Sequence, residues 1–202
     1  MTTTHGGYTL LLGNNPVFYE EVVNRPWGTT WDAASPNRSQ SSWIAGVQAD
    51  MDRELGADAG EPQRDRWMSR RAWRNISDNP GSFLRACRLR FFRFWNIVPQ
   101  GSAGRAVSSP VLWMIGLFYS ITGLGMLVGL IRLDRTERQH WLPVIVLILS
   151  FTAVHLVYWS NMRMRTPLIP IVALLATRAV CRRRQPSTEP VIPAESTSER
   201  ES

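Results

Sequence analysis

Several chemistries have no foothold in this sequence. Cysteine occurs twice, as Cys87 and Cys181, without CxxC spacing and in stretches of very different character. That argues against both a zinc site and a disulfide framework. No Gly-rich phosphate loop, HExxH or GxSxG is present, so nucleotide, zinc-protease and serine-hydrolase chemistry have no local motif. The first residues, MTTTHGGYTLLLGNNPVFYEE, carry no basic n-region and only a short apolar run, which is not a secretory signal peptide. Carboxylates are scattered (Glu20, Glu21, Asp32, Asp50, Asp52, Glu54), and no pairing marks an acid/base couple.

What the chain does have is unevenly distributed. Its 202 residues are 44% hydrophobic, enough for one sizeable core. Residues 1–109 are mixed and polar, 110–181 hold nearly all the long apolar runs, and the C-terminal tail is rich in Pro, Ser, Thr and Glu. Residues 182–202 are expected to be a disordered tail, since 186–202 in particular offer too little apolar surface to offset the entropy of ordering. Net charge is +7, from 23 basic and 16 acidic residues. Such a balance fits a nucleic-acid binder, but the basic residues are arginines gathered at the ends of apolar runs, as in membrane flanks. No nucleic-acid partner is expected.

Three segments read as membrane helices. Pro110–Ile131 has no charge and, at about 1.5 Å per residue, matches a hydrocarbon core of roughly 30 Å. Its Gly125-x-x-x-Gly129 spacing, with Gly116 and Gly123, either packs closely on another helix or reflects the general frequency of glycine in membrane helices. Trp141–Trp159 is also charge-free, with Trp141 at one end and Tyr158-Trp159 at the other placed like two aromatic belts. His155 lies about a turn inside the second belt, as a partnered structural group or a functional one. Thr166–Cys181 is shorter, starts with Pro167 and Pro170, and has Arg178 able to snorkel.

Arg90, Arg93, Arg105, Arg163 and Arg165 flank one side of these spans; Arg132, Arg135, Arg138 and Arg182–Arg184 flank the other. The cluster 182–184 tips the balance and puts the 132–140 loop and the tail in the cytoplasm, with residues 1–109 outside.

In the polar half, helices are expected around Ile44–Leu55 and from Asp65 to Ile76, with Trp73 and Ile76 on one face of the latter. Asp78-Asn79-Pro80-Gly81 breaks that helix and Ser82 can cap another over about 82–96. There Phe83, Leu84, Cys87, Phe91 and Phe94-Trp95 make an apolar stripe, with Arg85, Arg88, Arg90 and Arg93 elsewhere around it. This suits an amphipathic helix lying in the membrane interface, or one packed on the domain. Tyr8–Leu12 reads as a short strand between turn formers, and Asn75-Ile76-Ser77 matches a glycosylation sequon. The fold class is therefore mainly α: an extracytoplasmic loop and helical region, an interfacial helix, then three transmembrane helices over about 110–131, 141–159 and 166–181.

Three ordered blocks carry a resemblance. His155 with LVYWSNMRMRTPLIPIVALLA resembles the last core helix of bacterial polytopic glycosyltransferases of the GT-C class, where a His and an R-x-R-x-P-x-x-P-like run lead into an Ala/Leu helix. THGGYTLLLGNNP is similar to an extracytoplasmic loop of the same proteins. Ala72, Ile76, Pro80 and Phe83, followed by Phe94-Trp95, match the segment that joins the two. The class includes aminoarabinose transferases and protein mannosyltransferases.

The resemblance implies a multi-pass protein of the bacterial inner membrane. It implies transfer of a sugar from a polyprenyl-phosphate donor to an extracytoplasmic acceptor, without an identifiable cofactor. The family's catalytic carboxylate lies in an N-terminal loop that this sequence lacks, so no catalytic residue is assigned. The expectation is the C-terminal portion of such an enzyme, inactive alone and packing with other helices of a larger parent. Arg163 and Arg165, with His155, would then hold the lipid phosphate or merely anchor the helix. His5, Asn14 and Asn15 would bond sugar or stabilise the turn. The competing expectation is a small non-enzymatic membrane protein whose soluble half binds a partner.

Overall fold

The computed structural model describes residues 6–31, 39–100 and 104–180. His5, Asp32, Cys181, the arginines at 182–184 and the tail lie outside the described residues. Among those described, the chain is helical and has no strand. In order come α1 (Gly6–Gly13), α2 (Pro16–Phe18, widening to a π-helical turn at Tyr19–Val23), α3 (Ser39–Leu55), α4 (Glu61–Asp78) and α5 (Pro80–Phe94). These are followed by α6 (Ser109–Ile131), α7 (Arg135–Val157), a 3₁₀ segment (Met162–Leu168) and α8 (Ile169–Val180).

The opening stretch is a helix, not a strand. Leu10, Leu11 and Leu12 are consecutive and all buried, so α1 puts apolar side chains on successive faces and carries no period that distinguishes it from a short strand. It lies against α4, where Gly7 accepts the approach of the Asp65 backbone and its amide donates to Asp65 Oδ1 at 2.6 Å. A Cβ at Gly7 would also sit 2.7 Å from Ser69 Oγ. Leu10, Leu11, Met51, Trp67 and Ala72 form one core cluster; Leu12, Phe18, Tyr19, Val22, Trp31 and Ala86 form a second.

The expected helices over 44–55 and 65–76 are present and longer at their starts. α3 stops where Gly56 takes φ +84°, a left-handed conformation that ends helices. α5 starts at Pro80 rather than at Ser82, because proline suits the first turn and Asn79 takes the capping position. On α4 it is Trp67, Ala72 and Ile76 that are buried, whereas Trp73 is exposed.

Among the described residues, α6 and α7 are the two helices long and apolar enough to cross a membrane. They leave large apolar side chains bare, Trp113 at 80% and Leu124 at 65% among them. α7 is started by a capping box, Asp134 accepting from the Glu137 amide at 2.8 Å. The third segment is not one helix over 166–181: Met162–Leu168 is 3₁₀ and the α-helix runs from Ile169 to Val180. Pro167 and Pro170 remove the amides that a continuous ladder would use. At about 1.5 Å per residue α8 spans only about 18 Å.

The glycines of α6 serve close packing. An added Cβ at Gly125 would lie 2.9 Å from Ala176 Cβ, and one at Gly129 would collide with the Leu175 backbone of α8. The small-residue face is thus occupied inside the chain. Phe94, Ile148, Leu168, Val172 and Leu175 then tie α5, α7 and α8 into one core, and Glu137 at the start of α7 pairs with Arg178 near the end of α8.

Candidate functional site

The three blocks that carry the resemblance meet at Arg90. This residue sits on α5 between Ala86 and Phe94, on the helix's buried face, and is only 2% exposed. Its position at i+4 from Ala86 and i−4 from Phe94 was a readable signal of burial; its charge argued otherwise. Nη1 donates to the Leu156 carbonyl at 2.6 Å and the Val157 carbonyl at 3.2 Å, at the C-terminus of α7. Nη2 donates to the Gly13 carbonyl and, at 3.0 Å, to Asn14 Oδ1. The guanidinium also lies 5.7 Å from the centre of the Phe18 ring. Its rigid fork satisfies the orphan carbonyls of two helix ends, which is where a cation is favoured. Burial lowers its pKa to about 10.

Asn14 and Asn15 are fully buried in the same knot. Asn15 Oδ1 accepts from the Phe18 amide at 2.8 Å, capping α2, while its Nδ2 donates to Leu11 and Leu12 carbonyls. Asn14 Nδ2 donates to the Leu10 and Val157 carbonyls, both at 2.8 Å, and its Oδ1 accepts from Tyr19. Neither amide faces open space. Asn75 Nδ2, the amide of the sequon, donates to the Asn14 carbonyl at 3.0 Å from within α4. Burial raises the Tyr19 phenol to about 12.

Trp159 also packs into this subdomain. Its ring packs on Phe18 at 5.4 Å and Trp31 at 6.4 Å, and its amide donates to the Thr9 carbonyl at 3.4 Å. α7 ends at Val157, so the chain has already turned into the α1 core.

Arg163 and Arg165 do not converge. Arg163 is exposed, whereas Arg165 is 5% exposed and turned into the helices. A 3₁₀ segment, with three residues per turn, separates the directions of residues two apart. Arg165 Nη1 donates to the Phe94 carbonyl at 3.2 Å, at the negative end of α5, and its guanidinium covers the Tyr119 ring at 4.4 Å. Nη2 has no hydrogen-bond partner. Tyr119 was invisible as a site residue in an otherwise apolar span.

His155 is a partnered structural group in this setting. Its Nδ1 lies 2.7 Å from the Phe151 carbonyl and its ring rests between Phe151 at 4.7 Å and Phe94 at 5.0 Å. Three of the carboxylates in the polar half make structural contacts: Asp50 with Arg53 and Arg71, Asp52 with Arg64, and Glu54 with Trp67 Nε1. No group of His, Cys, Asp and Glu that could hold a metal occurs among the described residues. No protein family, curated protein or solved structure matches the chain.

Proposed function

We propose that this chain is an integral-membrane protein that works as the C-terminal part of a GT-C-type glycosyltransferase, handling a sugar carried on polyprenyl phosphate at the outer face of a bacterial inner membrane. The observation that supports this most is the Arg90 knot. It joins Gly13 and Asn14, Leu156 and Val157, and α5 itself, which belong to the three sequence blocks similar to that class. Blocks separated by tens of residues in sequence form one packed unit, as parts of one inherited subdomain would. In this reading α6 and α7 cross the bilayer, and the 3₁₀ segment with α8 forms a third, bent membrane element.

α5 sits where the subdomain meets the bilayer. Leu84, Phe91 and Phe92 are exposed beside Arg85 and Arg88, and Trp27 packs edge-on against Phe92 at 6.3 Å while remaining 54% exposed. Aromatic and apolar side chains flanked by arginine suit the headgroup layer. The same patch also favours the second reading, a non-enzymatic protein docking a partner there.

Binding of a polyprenyl-phosphate sugar separates the two. The full chain in zwitterionic nanodiscs should retain a radiolabelled polyprenyl-phosphate pentose or hexose more strongly than the same polyprenyl phosphate without sugar. Equal retention of both would remove the glycosyltransferase reading.

A further inference from the structure

The outward face of α4 carries positive charge that nothing in the polar subdomain balances. At 3.6 residues per turn, Gln63, Arg66, Arg70, Trp73, Arg74 and Ser77 fall within about 100° of the helix circumference. All six are exposed, Trp73 at 55%. The buried residues Trp67, Ala72 and Ile76 lie outside that arc. The arginines of α4 are sorted by what they face. On the flank towards α3, Arg64 meets Asp52 at 3.0 Å and Arg71 meets Asp50 at 2.9 Å. Arg66, Arg70 and Arg74 pair with no carboxylate among the described residues. Of the acids at either end of their row, Asp65 accepts from the Gly7 amide and Asp78 joins no ion pair.

An ordinary solvated helix face intersperses both signs, because like charges at i,i+4 destabilise a helix. Arg66, Arg70 and Arg74 make two such like-charged steps in succession, about 6 Å each and about 12 Å from first to last. A single row of cations at one repeat suits an anion that is itself a chain with a repeating charge. A bilayer surface is a poorer match, since the apolar side of α4 is packed on α1 and α3 and the row offers only Trp73 to insert. The indole narrows the partner further. Its flat, electron-rich face lies on the same arc as three guanidinium groups, and it suits the C–H face of a pyranose better than a bare phosphate or an acidic peptide. Gln63 and Ser77 are neutral and can exchange hydrogen bonds with hydroxyls.

We propose that the α4 row binds an acidic polysaccharide, a uronate-type chain whose carboxylates pair with Arg66, Arg70 and Arg74 while one sugar ring lies on Trp73. Guanidinium and carboxylate match as planar forks, so each arginine can hold its partner through two bonds. The step of roughly 6 Å between successive arginines is close to the length of one sugar unit, which lets the helix and the polymer run side by side. The surface is separate from the Arg90 knot and from the exposed aromatics of α5. It takes from the proposed function only the placement of residues 1–109 outside the membrane, where such polymers occur; it involves neither sugar transfer nor a lipid-linked sugar.

The full chain in phosphatidylcholine nanodiscs should be titrated calorimetrically with oligogalacturonate at low salt, and with neutral dextran oligomers of similar length. Oligogalacturonate should bind and dextran should not. Arg66→Gln, Arg70→Gln and Arg74→Gln combined should weaken binding at least about tenfold, the joint scale of three exposed ion pairs, and flatten its salt dependence. None of the three side chains is bonded to another element among the described residues, so the fold stays intact. Trp73→Ala should weaken binding about threefold and leave the salt dependence as it was. Arg25→Gln with Arg53→Gln removes charge elsewhere on the subdomain and should not change the affinity. No binding by the unsubstituted chain, equal binding of dextran, unaltered affinity in the triple variant or in Trp73→Ala, or an equal loss in the Arg25 and Arg53 pair would each overturn the site. Single-stranded DNA or phosphatidylglycerol vesicles binding through the same row as tightly as oligogalacturonate would overturn the polysaccharide. Failure here leaves the retention of polyprenyl-phosphate sugar unaffected, because no lipid-linked sugar enters the titration.

Discussion

Replacing Arg90 with methionine is the most demanding test of how this fold is held. Methionine fits the length of the side chain and keeps most of the apolar contact with Phe18, but it donates nothing. The Gly13 and Leu156 carbonyls then lose the donor that Arg90 supplies. Val157 and Asn14 Oδ1 keep second partners, the Asn14 amide and the Tyr19 hydroxyl. Two buried acceptors left bare cost about 1–3 kcal/mol each. The sign of the charge term runs the other way, since the buried cation is removed, so the net expectation is a loss of about 2–4 kcal/mol.

With a urea slope of about 2 kcal/mol per molar, that moves the midpoint of unfolding of the polar subdomain down by about 1–2 M. Tryptophan fluorescence of the full chain in nanodiscs reads this through Trp31, Trp43 and Trp159. Hydrogen exchange adds a spatial signature: amides in α1 and the last turn of α7 should exchange faster, while those in the middle of α3 should not. Arg90→Lys keeps the charge and loses the fork, and should recover less than half of the loss. A methionine variant within about 0.5 kcal/mol of the parent, the range of an ordinary surface change, would refute the idea that Arg90 holds two helix ends together.

Further outcomes follow from other contacts. Gly129→Ala should destabilise the α6–α8 pair by about 1–3 kcal/mol in thermal unfolding, because its methyl collides with the Leu175 backbone; an unchanged midpoint would deny the close approach. Burial raises the Cys87 thiol above its ordinary pKa, so in a Cys181→Ser background iodoacetamide should react more slowly at pH 8 than with a free cysteine. The rate should climb only at higher pH, once the thiolate forms. Gly60→Cys in a cysteine-free background should be labelled by an impermeant maleimide in intact cells if residues 1–109 are extracytoplasmic, and protection would reverse the topology. Spin labels at Trp27 and Phe92 should report headgroup-level depth by power saturation, and full aqueous exposure would remove α5 from the interface.

Much of the helical layout was legible in the residues themselves. Long uninterrupted apolar runs can be read because hydrophobicity over twenty residues needs no partner to be meaningful, and α6 and α7 follow from it. α3 and α4 follow from helix-former composition, and the break between α4 and α5 from Asn79-Pro80. The glycine spacing in α6 announced close packing, but only α8 showed what it packs against. Local composition carries no information on which of two surfaces a residue will face when a chain returns from far away.

Tertiary structure decided the rest. Tyr8–Leu12 became a helix because α4 and both clusters bury its three consecutive leucines, which leaves no alternation for periodicity to read. Asn14 and Asn15, plausible as sugar ligands, are consumed by carbonyls and amides at the junction of α1, α2 and α7. Arg90 and Arg165, both expected among membrane-flanking charges, are buried because acceptors brought from Gly13, Leu156 and Phe94 lie within reach. Those acceptors are backbone carbonyls, identical in every residue and silent in the sequence, and their convergence exists only once the helices have packed.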